Sequence, residues 1–260
     1  GTLLEGHKLS GALAGGVLPA LPSSDLAPLL VGSLAVMAIV TIFRLPLSLS
    51  QVIVGGAWGI GLSTGVQVSS SYSLEVIAAW ILSPVLAFLA SAVIESLVLR
   101  LGQRTKDVIT LSSAYGSLTL IAGFYAAYAL GANTIGLVTG LFELESADAL
   151  LLSLTFSAAT VFGMFFVSSG TVRSVAENLV GLSPSMALSA QFGGALVVHL
   201  FTQLSLPVSI AQVVVGGMEG AASVKRIAIT NRRLLLQILA GWTIGPMAGT
   251  AITFLLMKAI

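Results

Sequence analysis

The sequence predicts an all-α polytopic membrane protein with two inverted-topology repeats, whose broken or re-entrant helices meet at mid-membrane. Three observations predict this fold. Hydrophobic residues make up 56% of the 260 residues and charged residues only 8%, a composition far from that of a soluble domain. One apolar segment occurs twice along the chain. The loops that follow its two copies differ strongly in positive charge.

Apolar runs define the predicted helices, because a helix needs roughly 20 apolar residues to cross a hydrocarbon core about 30 Å thick. Several runs are short for a full crossing, which predicts re-entrant pieces among 9–22, 45–63, 131–142 and 208–222. The sequence lacks the alternation typical of β-barrel strands. The predicted segments are 9–22, 27–43, 45–63, 76–99, 108–130, 150–168, 185–205, 208–222 and 234–257, with a short polar-interrupted segment at 131–142.

Composition and missing motifs exclude several functional classes. The chain has no cysteine, so a disulfide framework or a thiolate metal site is excluded. It also lacks a Walker A motif, an HExxH motif and a Cys/His cluster, so we expect no catalytic residues, no resident metal and no cofactor. The net charge of +1 is too small to indicate a nucleic-acid partner. Membrane lipid is the expected surrounding.

The internal repeat has two landmarks. LPLSLSQVIVGG at 45–56 recurs as LPVSIAQVVVGG at 206–217. AAWILSPVLAF at 78–88 corresponds to LAGWTIGPMAG at 239–249, where Trp242 takes the place of Trp80. Because the two landmarks recur in the same order and with nearly the same spacing, they indicate an internal duplication.

Charge placement predicts that the two halves are inverted. The loop at 63–75 after the first copy has no Lys or Arg, whereas the matching loop at 223–233 has four, and the link at 100–107 has three. Positive loops favour the cytoplasmic side, so the equivalent loops are expected on opposite faces. This divides the chain into a first repeat at 1–100, a cytoplasmic linker at 101–107 and an inverted second repeat at 108–260. Inverted repeats are common in secondary transporters, which bind substrate near the midplane.

The duplicated motif has features of an anion site. Pro46 and Pro207 should each end or kink a helix, and the freed N–H groups and partial positive charge of a half-helix N-terminus suit an anion. Alternatively, the prolines only kink helices, the polar side chains bond to neighbouring backbone and the glycines only pack. The polar side chains after the two breaks are Ser48, Ser50, Gln51, Ser209 and Gln212, and the glycines that permit close approach are Gly55, Gly56, Gly216 and Gly217.

A third polar element is YALGANTIGLVTG at 128–140. Gly131 and Asn133 interrupt an apolar run, which predicts another unwound helix. The Asn133 carbonyl and the Thr134 hydroxyl are hard oxygen ligands, suited to Na⁺ or to hydrogen bonds with a substrate.

These motifs together resemble the PiT inorganic phosphate transporter family, whose members carry two GAND-type and two PVSTTH-type motifs in inverted halves. PLSLSQ at 46–51 and PVSIAQ at 207–212 are similar to the second type, and GANT at 131–134 to the first. The stretch at 169–201 resembles the family's segment before its second PVSTTH motif. The resemblance covers nearly the whole chain.

The resemblance implies uptake of phosphate, or of sulfate in some relatives, coupled to Na⁺ or H⁺ at the cell membrane. A homodimer is compatible with it. Asn133 and Thr134 would contact the anion or the coupling ion. The residues implied around the anion are Ser48, Leu49, Ser50 and Gln51, then Ser209, Ile210, Ala211 and Gln212.

The sequence also departs from the family pattern. Thr134 replaces the family's Asp, which removes a carboxylate that would help to hold a cation. The threonine pairs have become Leu49 and Ser50, then Ile210 and Ala211, so substrate choice or coupling could differ. The first GAND-type copy is expected a few residues before Gly1, so the sequence would be a fragment or a reduced relative.

Single ionisable residues have competing interpretations. His199 could relay protons, but a hydrogen bond to a backbone carbonyl of a neighbouring helix is the simpler expectation. For Glu219 an ion pair with Lys225 or Arg226 is favoured over ion coupling. Glu95 is expected to reach the inner surface. Arg44 should lie at the inner end of its span, as a topology anchor or an anion attractant.

Three other functions remain open from the sequence. A proton-driven sulfate permease would have the same fold, and a passive anion channel could use the same broken helices. VSSG at 167–170 with His199 superficially resembles an intramembrane serine protease, in which Ser169 would be the nucleophile. That function would leave the duplicated motif unexplained.

Overall fold

The computed structural model describes residues 1–18, 23–43, 47–103, 107–142, 146–166, 181–227 and 232–259, and no β-strand occurs within them. The described chain is helical. A π-helical turn at Ala12–Val17 and a 3₁₀ turn at Ser23–Asp25 precede α3, and a second π-helical turn at Gly131–Ile135 lies between α6 and α7. The helices are α1 (Thr2–Glu5), α2 (His7–Gly11), α3 (Leu26–Ile42), α4 (Leu49–Thr64), α5 (Ser70–Gly102), α6 (Val108–Leu130), α7 (Gly136–Thr139), α8 (Ser146–Phe166), α9 (Pro184–Gln203), α10 (Ile210–Val224) and α11 (Arg232–Ala259).

Five helical segments in the described chain are long and apolar enough to cross a membrane: Ser70–Gly102, Ile109–Thr139, Asp148–Phe166, Pro184–Gln203 and Leu235–Ala259. The helices α3 and α10 are also apolar but have only 17 and 15 residues. Large apolar side chains such as Ile81, Phe124 and Phe165 are exposed on the outer helix faces, as expected where lipid replaces water. The prediction of an all-α polytopic membrane protein is confirmed.

Two predicted helix breaks have different outcomes. The chain is non-helical between Gln203 and Ile210, so Pro207 lies between α9 and α10 as predicted. Ser209 caps α10, since its side chain accepts a hydrogen bond from the Gln212 N–H at 3.3 Å. Pro46 and Arg44 lie outside the described residues.

The GANT segment is not unwound as predicted. Residues 108–139 form one continuous helical path, within which Gly131–Ile135 is a widened π-helical turn. Such π-bulges shift the register of a helix without freeing a whole turn of backbone groups. Asn133 is therefore presented from a continuous helix.

The two copies of the duplicated segment pack in the same way, each against a helix of the other half. The helix α4 lies along α11, and α10 lies along α5. A methyl group at Gly55 would lie 2.1 Å from the carbonyl oxygen of Pro246, and one at Gly216 would lie 2.2 Å from that of Pro84. Because only a hydrogen fits at these glycines, each short helix is in backbone contact with the Trp-Pro helix of the opposite half.

A buried ion pair ties α5 to α9 and α10. Glu95 is 0% exposed, and its Oε1 lies 3.4 Å from the Lys225 Nζ. The hydroxyl groups of Ser185 and Ser189 donate to the two Glu95 carboxylate oxygens at 2.8 and 2.7 Å. The expectation that Glu95 reaches the inner surface is wrong, because packing of α5 against α9 and α10 encloses its side chain.

Candidate functional site

The two copies of the duplicated motif meet directly. The Ser50 hydroxyl, in the first turn of α4, donates a 2.7 Å hydrogen bond to the backbone carbonyl of Val208, just before α10. The Ser48 and Ser50 hydroxyls lie 3.0 Å apart. The beginnings of α4 and α10, which carry the partial positive charges of the helices, are thereby brought together.

Asn133 fixes the segment before α10 from the other side. Its side-chain oxygen accepts from the Val208 N–H at 3.2 Å, and its side-chain nitrogen donates to the Thr202 hydroxyl at 3.0 Å and the Leu206 carbonyl at 3.2 Å. Asn133 is 0% exposed. Because these bonds occupy both ends of its amide, Asn133 positions the motif in this conformation.

Trp80 supplies a further contact to the same segment. Its indole Nε1 donates to the Pro207 carbonyl at 3.0 Å, so Ser50, Asn133 and Trp80 together satisfy consecutive backbone groups of the non-helical segment. A segment without internal hydrogen bonds needs such partners inside a membrane. The broken backbone before α10 is thus held by side chains from α4, α5 and the π-helical turn.

A cavity of about 910 Å³ lies beside this junction, and both halves of the chain contribute to its wall. Its polar members are few. The lining includes Gln51 and Gln212 from the duplicated motif, Trp80 and Trp242 with Pro84 and Pro246 from the second landmark, and Trp58 and Glu219. All three tryptophans of the chain therefore face one apolar space, which is typical of sites where a few polar groups orient a ligand.

The two glutamines are the polar motif residues that face the cavity. Gln51 is 1% and Gln212 4% exposed, and the side-chain oxygen of each has no hydrogen-bond partner among the described residues. The Gln51 Nε2 donates to the Trp242 carbonyl at 3.3 Å. Rotating this amide would place two acceptor oxygens together, so the oxygen of Gln51 remains free.

The other predicted site residues lie around the junction and are absent from the cavity wall. Ser48 and Ser209 are buried there, and the Thr134 hydroxyl is buried with no partner in the described chain. Leu49 and Ile210 pack in two apolar clusters, and Ala211 is partly buried. A second cavity of about 790 Å³, beside α1 and α2, contains none of the predicted site residues.

Glu219 is a cavity residue that the sequence interpretation placed elsewhere. It makes no ion pair within the described chain, and its Oε1 is buried without a hydrogen-bond partner. The expected pairing with Lys225 is wrong, because Lys225 is bound to Glu95 and to the hydroxyls of Ser183 and Ser185. Residue-by-residue comparison of the two motif copies would have singled out Glu219, because the matching place after the glycine pair of the first copy holds Trp58.

His199 lies outside this cavity. Its Nε2 is 3.0 Å from the Glu5 Oε2, and its Nδ1 is 2.7 Å from the Tyr125 hydroxyl. The expected bond to a backbone carbonyl is wrong, since the imidazole has a carboxylate and a phenol as partners. Ser169, the nucleophile of the protease hypothesis, lies outside the described residues.

Comparison with known proteins gives consistent matches. The sequence model described as the phosphate transporter family matches residues 1–114 and 102–253. A protein named as a phosphate permease from Methanocaldococcus jannaschii is 28% identical over 245 residues, which cover 92% of this chain and 76% of the relative. The sulfate permease CysP of Bacillus subtilis is 22% identical over 268 residues, which cover 99% of this chain and 73% of the relative.

A solved structure has the same fold. It is described as the sodium-dependent phosphate transporter, is 20% identical in sequence and superposes with a TM-score of 0.79 over 98% of this chain and 86% of the other. At this level of identity the similarity concerns the arrangement of helices.

Proposed function

This chain belongs to the phosphate transporter family, and from that premise we propose that it is a secondary active transporter of inorganic phosphate. It would act in the cell membrane as an ion-coupled symporter, with alternating access to a central site. The observation that carries the proposal is the junction of the two motif copies beside a cavity that both glutamines line. A single duplicated motif that meets itself at one buried place suits a site shared by two moving halves.

The anion would lie between Gln51 and Gln212, near the first turns of α4 and α10. The helix N-termini favour negative charge there, and each amide group offers both a donor and an acceptor. Phosphate at neutral pH carries hydroxyl groups that can donate to the free glutamine oxygens, whereas sulfate carries only acceptors. These unpartnered acceptors favour phosphate over sulfate.

The packing of the two halves supports alternating access. The Gly55–Pro246 and Gly216–Pro84 contacts are equivalent, so each short helix can move with the Trp-Pro helix of the opposite half. The inverted halves would be 1–100 and 108–260, joined by the linker at 101–107. Rocking of these units would expose the cavity to one side of the membrane and then to the other.

The coupling ion is a second cargo for which the structure offers one candidate position. The Thr134 hydroxyl oxygen has no partner in the described chain, while the Asn133 oxygen already accepts from Val208. Thr134 is therefore the more available of the two predicted ligands. A single hydroxyl is a weak sodium site on its own.

Uptake of labelled phosphate into proteoliposomes tests the proposal. We expect saturable uptake by the wild type, at least tenfold reduced in Q51L and in Q212L, because truncating an oriented contact in a buried site removes about 1.4 kcal/mol or more. Q67L is the matched control, since Gln67 is exposed in a loop. Equal uptake by Q51L, Q212L and Q67L would contradict the proposed site.

A sulfate permease is the second candidate function. It is favoured by the relation to CysP, which extends over 99% of this chain. Counter-titration of labelled phosphate with sulfate, with and without a Na⁺ gradient, separates the two. Phosphate uptake resistant to excess sulfate supports a phosphate transporter, and sulfate uptake resistant to excess phosphate supports the alternative.

A further inference from the structure

The wall of the 910 Å³ cavity contains one ionisable side chain among its described residues, Glu219. It lies seven residues after Gln212, which is about two turns along the same face of α10. The remaining lining is mainly aromatic and aliphatic. A carboxylate in such a place would repel an anion bound at the two glutamines unless it were neutralised.

No neighbouring charge performs that neutralisation in the described chain. On α10 itself, Lys225 is bound to Glu95 of α5. On α9, His199 is bound to Glu5. The other described charged side chains of the elements around the cavity are absent from its wall: Glu75 and Arg100 on α5, and Arg233 and Lys258 on α11. Helix α4 carries no charged residue.

The asymmetry between the two halves points to the same residue. Gln51 and Gln212, Trp80 and Trp242, and Pro84 and Pro246 face the cavity as matched pairs. Trp58 and Glu219 also occupy corresponding places, but one is an indole and the other an acid. Packing alone would be met by apolar residues at both places, so the acid indicates a function that only one half needs.

We propose that Glu219 is the proton-coupling residue of this transporter, an inference that rests on the proposed function. A proton from the side to which the cavity is open forms an O–H bond with the Glu219 carboxylate. The neutral acid tolerates the anion and can donate a hydrogen bond to it. After the cavity opens to the other side and the anion leaves, the O–H bond breaks and the proton is released there. Each anion thus moves with one proton held by the protein.

The test compares pH profiles of phosphate uptake, with a pH-sensitive dye inside the proteoliposomes. Phosphate itself titrates near neutral pH, so the diagnostic quantity is the ratio of uptake by E219Q to uptake by the wild type. We expect this ratio to rise about tenfold per pH unit above the pKa of the single essential acid. Glutamine mimics the protonated acid, so E219Q should carry phosphate without the protein-bound proton.

Two variants keep the test decisive. E219D retains an acid and should keep the wild-type pH profile, whereas E75Q makes the same change at an exposed position and should also behave as wild type. Size-exclusion profiles show whether each variant is folded. If E219Q fails to fold, the profile of E219D against that of E219N decides in the same way.

Several results would overturn the proposal. One is an E219Q profile parallel to that of the wild type, with equal proton entry per phosphate. Another is loss in E219Q of a sodium dependence that the wild type shows, because the cation at Glu219 would then be Na⁺. Absence of phosphate uptake by the wild type would instead overturn the proposed function, and this proposal with it.

Discussion

The Ser50 hydroxyl donates a 2.7 Å hydrogen bond to the backbone carbonyl of Val208, across the boundary between the two copies of the duplicated motif. Ser50 is 1% exposed, so no water competes for this bond. The carbonyl belongs to a non-helical segment in a membrane protein, where an unsatisfied backbone group is costly. This bond therefore contributes both to the stability of the break and to the register of the two motifs.

Replacing Ser50 by alanine should destabilise the protein by about 1–3 kcal/mol, the cost of leaving a buried acceptor without a partner. Phosphate uptake per folded molecule should also decrease, because the first turns of α4 and α10 lose their direct connection. Thermal unfolding in detergent and proteoliposome uptake measure the two effects. S96A is the control, since Ser96 only bonds to Ala92 of its own helix; equal behaviour of S50A and S96A would contradict the prediction.

Close backbone contact at Gly216 makes a second prediction. A methyl group there would lie 2.2 Å from the Pro84 carbonyl oxygen, so G216A must push α10 away from α5. Overpacking of this kind costs about 1–3 kcal/mol, and we expect a lower unfolding temperature together with reduced uptake.

A glycine without neighbours gives the control for G216A. A methyl group at Gly116 in α6 meets nothing within 4 Å, so G116A should be neutral or stabilising by up to about 1 kcal/mol through helix propensity. The equivalent contact of Gly55 with Pro246 predicts that G55A resembles G216A. Unchanged unfolding temperatures in G55A and G216A would show that the short helices are not locked in this way.

The sequence predicted the apolar helices and the relation between the motif copies because both depend on local patterns. Apolar run length defines a membrane helix, and duplication is visible without any coordinates. Pro207 likewise predicts its own break. By contrast, the role of Asn133 depends on which segment lies opposite it, and its acceptor and donor bonds to residues 202–208 arise from packing between distant parts of the chain.

The partner of Lys225 shows the same limit clearly. Glu219 lies shortly before Lys225 in the sequence, so proximity favours that pair, yet the lysine binds Glu95 of another helix. An α-helix has about 3.6 residues per turn, and the separation of Glu219 from Lys225 is far from a whole number of turns. The two side chains therefore leave α10 in different directions. Packing of α5 against α10 then decides which acid is within reach.

Asp107 gives a prediction about pH outside the membrane-spanning segments. It caps α6: hydrogen bonds from the Thr110 hydroxyl and from the Ile109 N–H hold the pKa of Asp107 below its ordinary value. Because the folded pKa is lower than the unfolded one, the ionised cap stabilises the fold above the unfolded pKa. This contribution is lost as the pH falls through the folded pKa.

Asparagine at position 107 should retain a cap but lose the pH dependence. The unfolding temperatures of wild type and D107N should therefore differ at pH 7 and converge as the pH falls below about 4, the ordinary range of an Asp carboxyl. T110V, which removes the larger cause of the shift, should reduce the difference in the same window. A difference that stays constant down to acidic pH would refute this account of the cap.

The Glu95–Lys225 pair predicts an unequal effect of its two neutralising substitutions. K225M leaves a fully buried carboxylate without its cation, which should cost about 3–5 kcal/mol. E95Q removes the buried charge itself, and the Ser185 and Ser189 hydroxyls can still donate to the amide oxygen, so a smaller loss is expected. The double variant should then be more stable than K225M alone, because it no longer contains an unpaired buried charge. Unfolding temperatures in detergent of the three variants, with R100Q at an exposed position as the control, measure this order; a double variant less stable than K225M would contradict it.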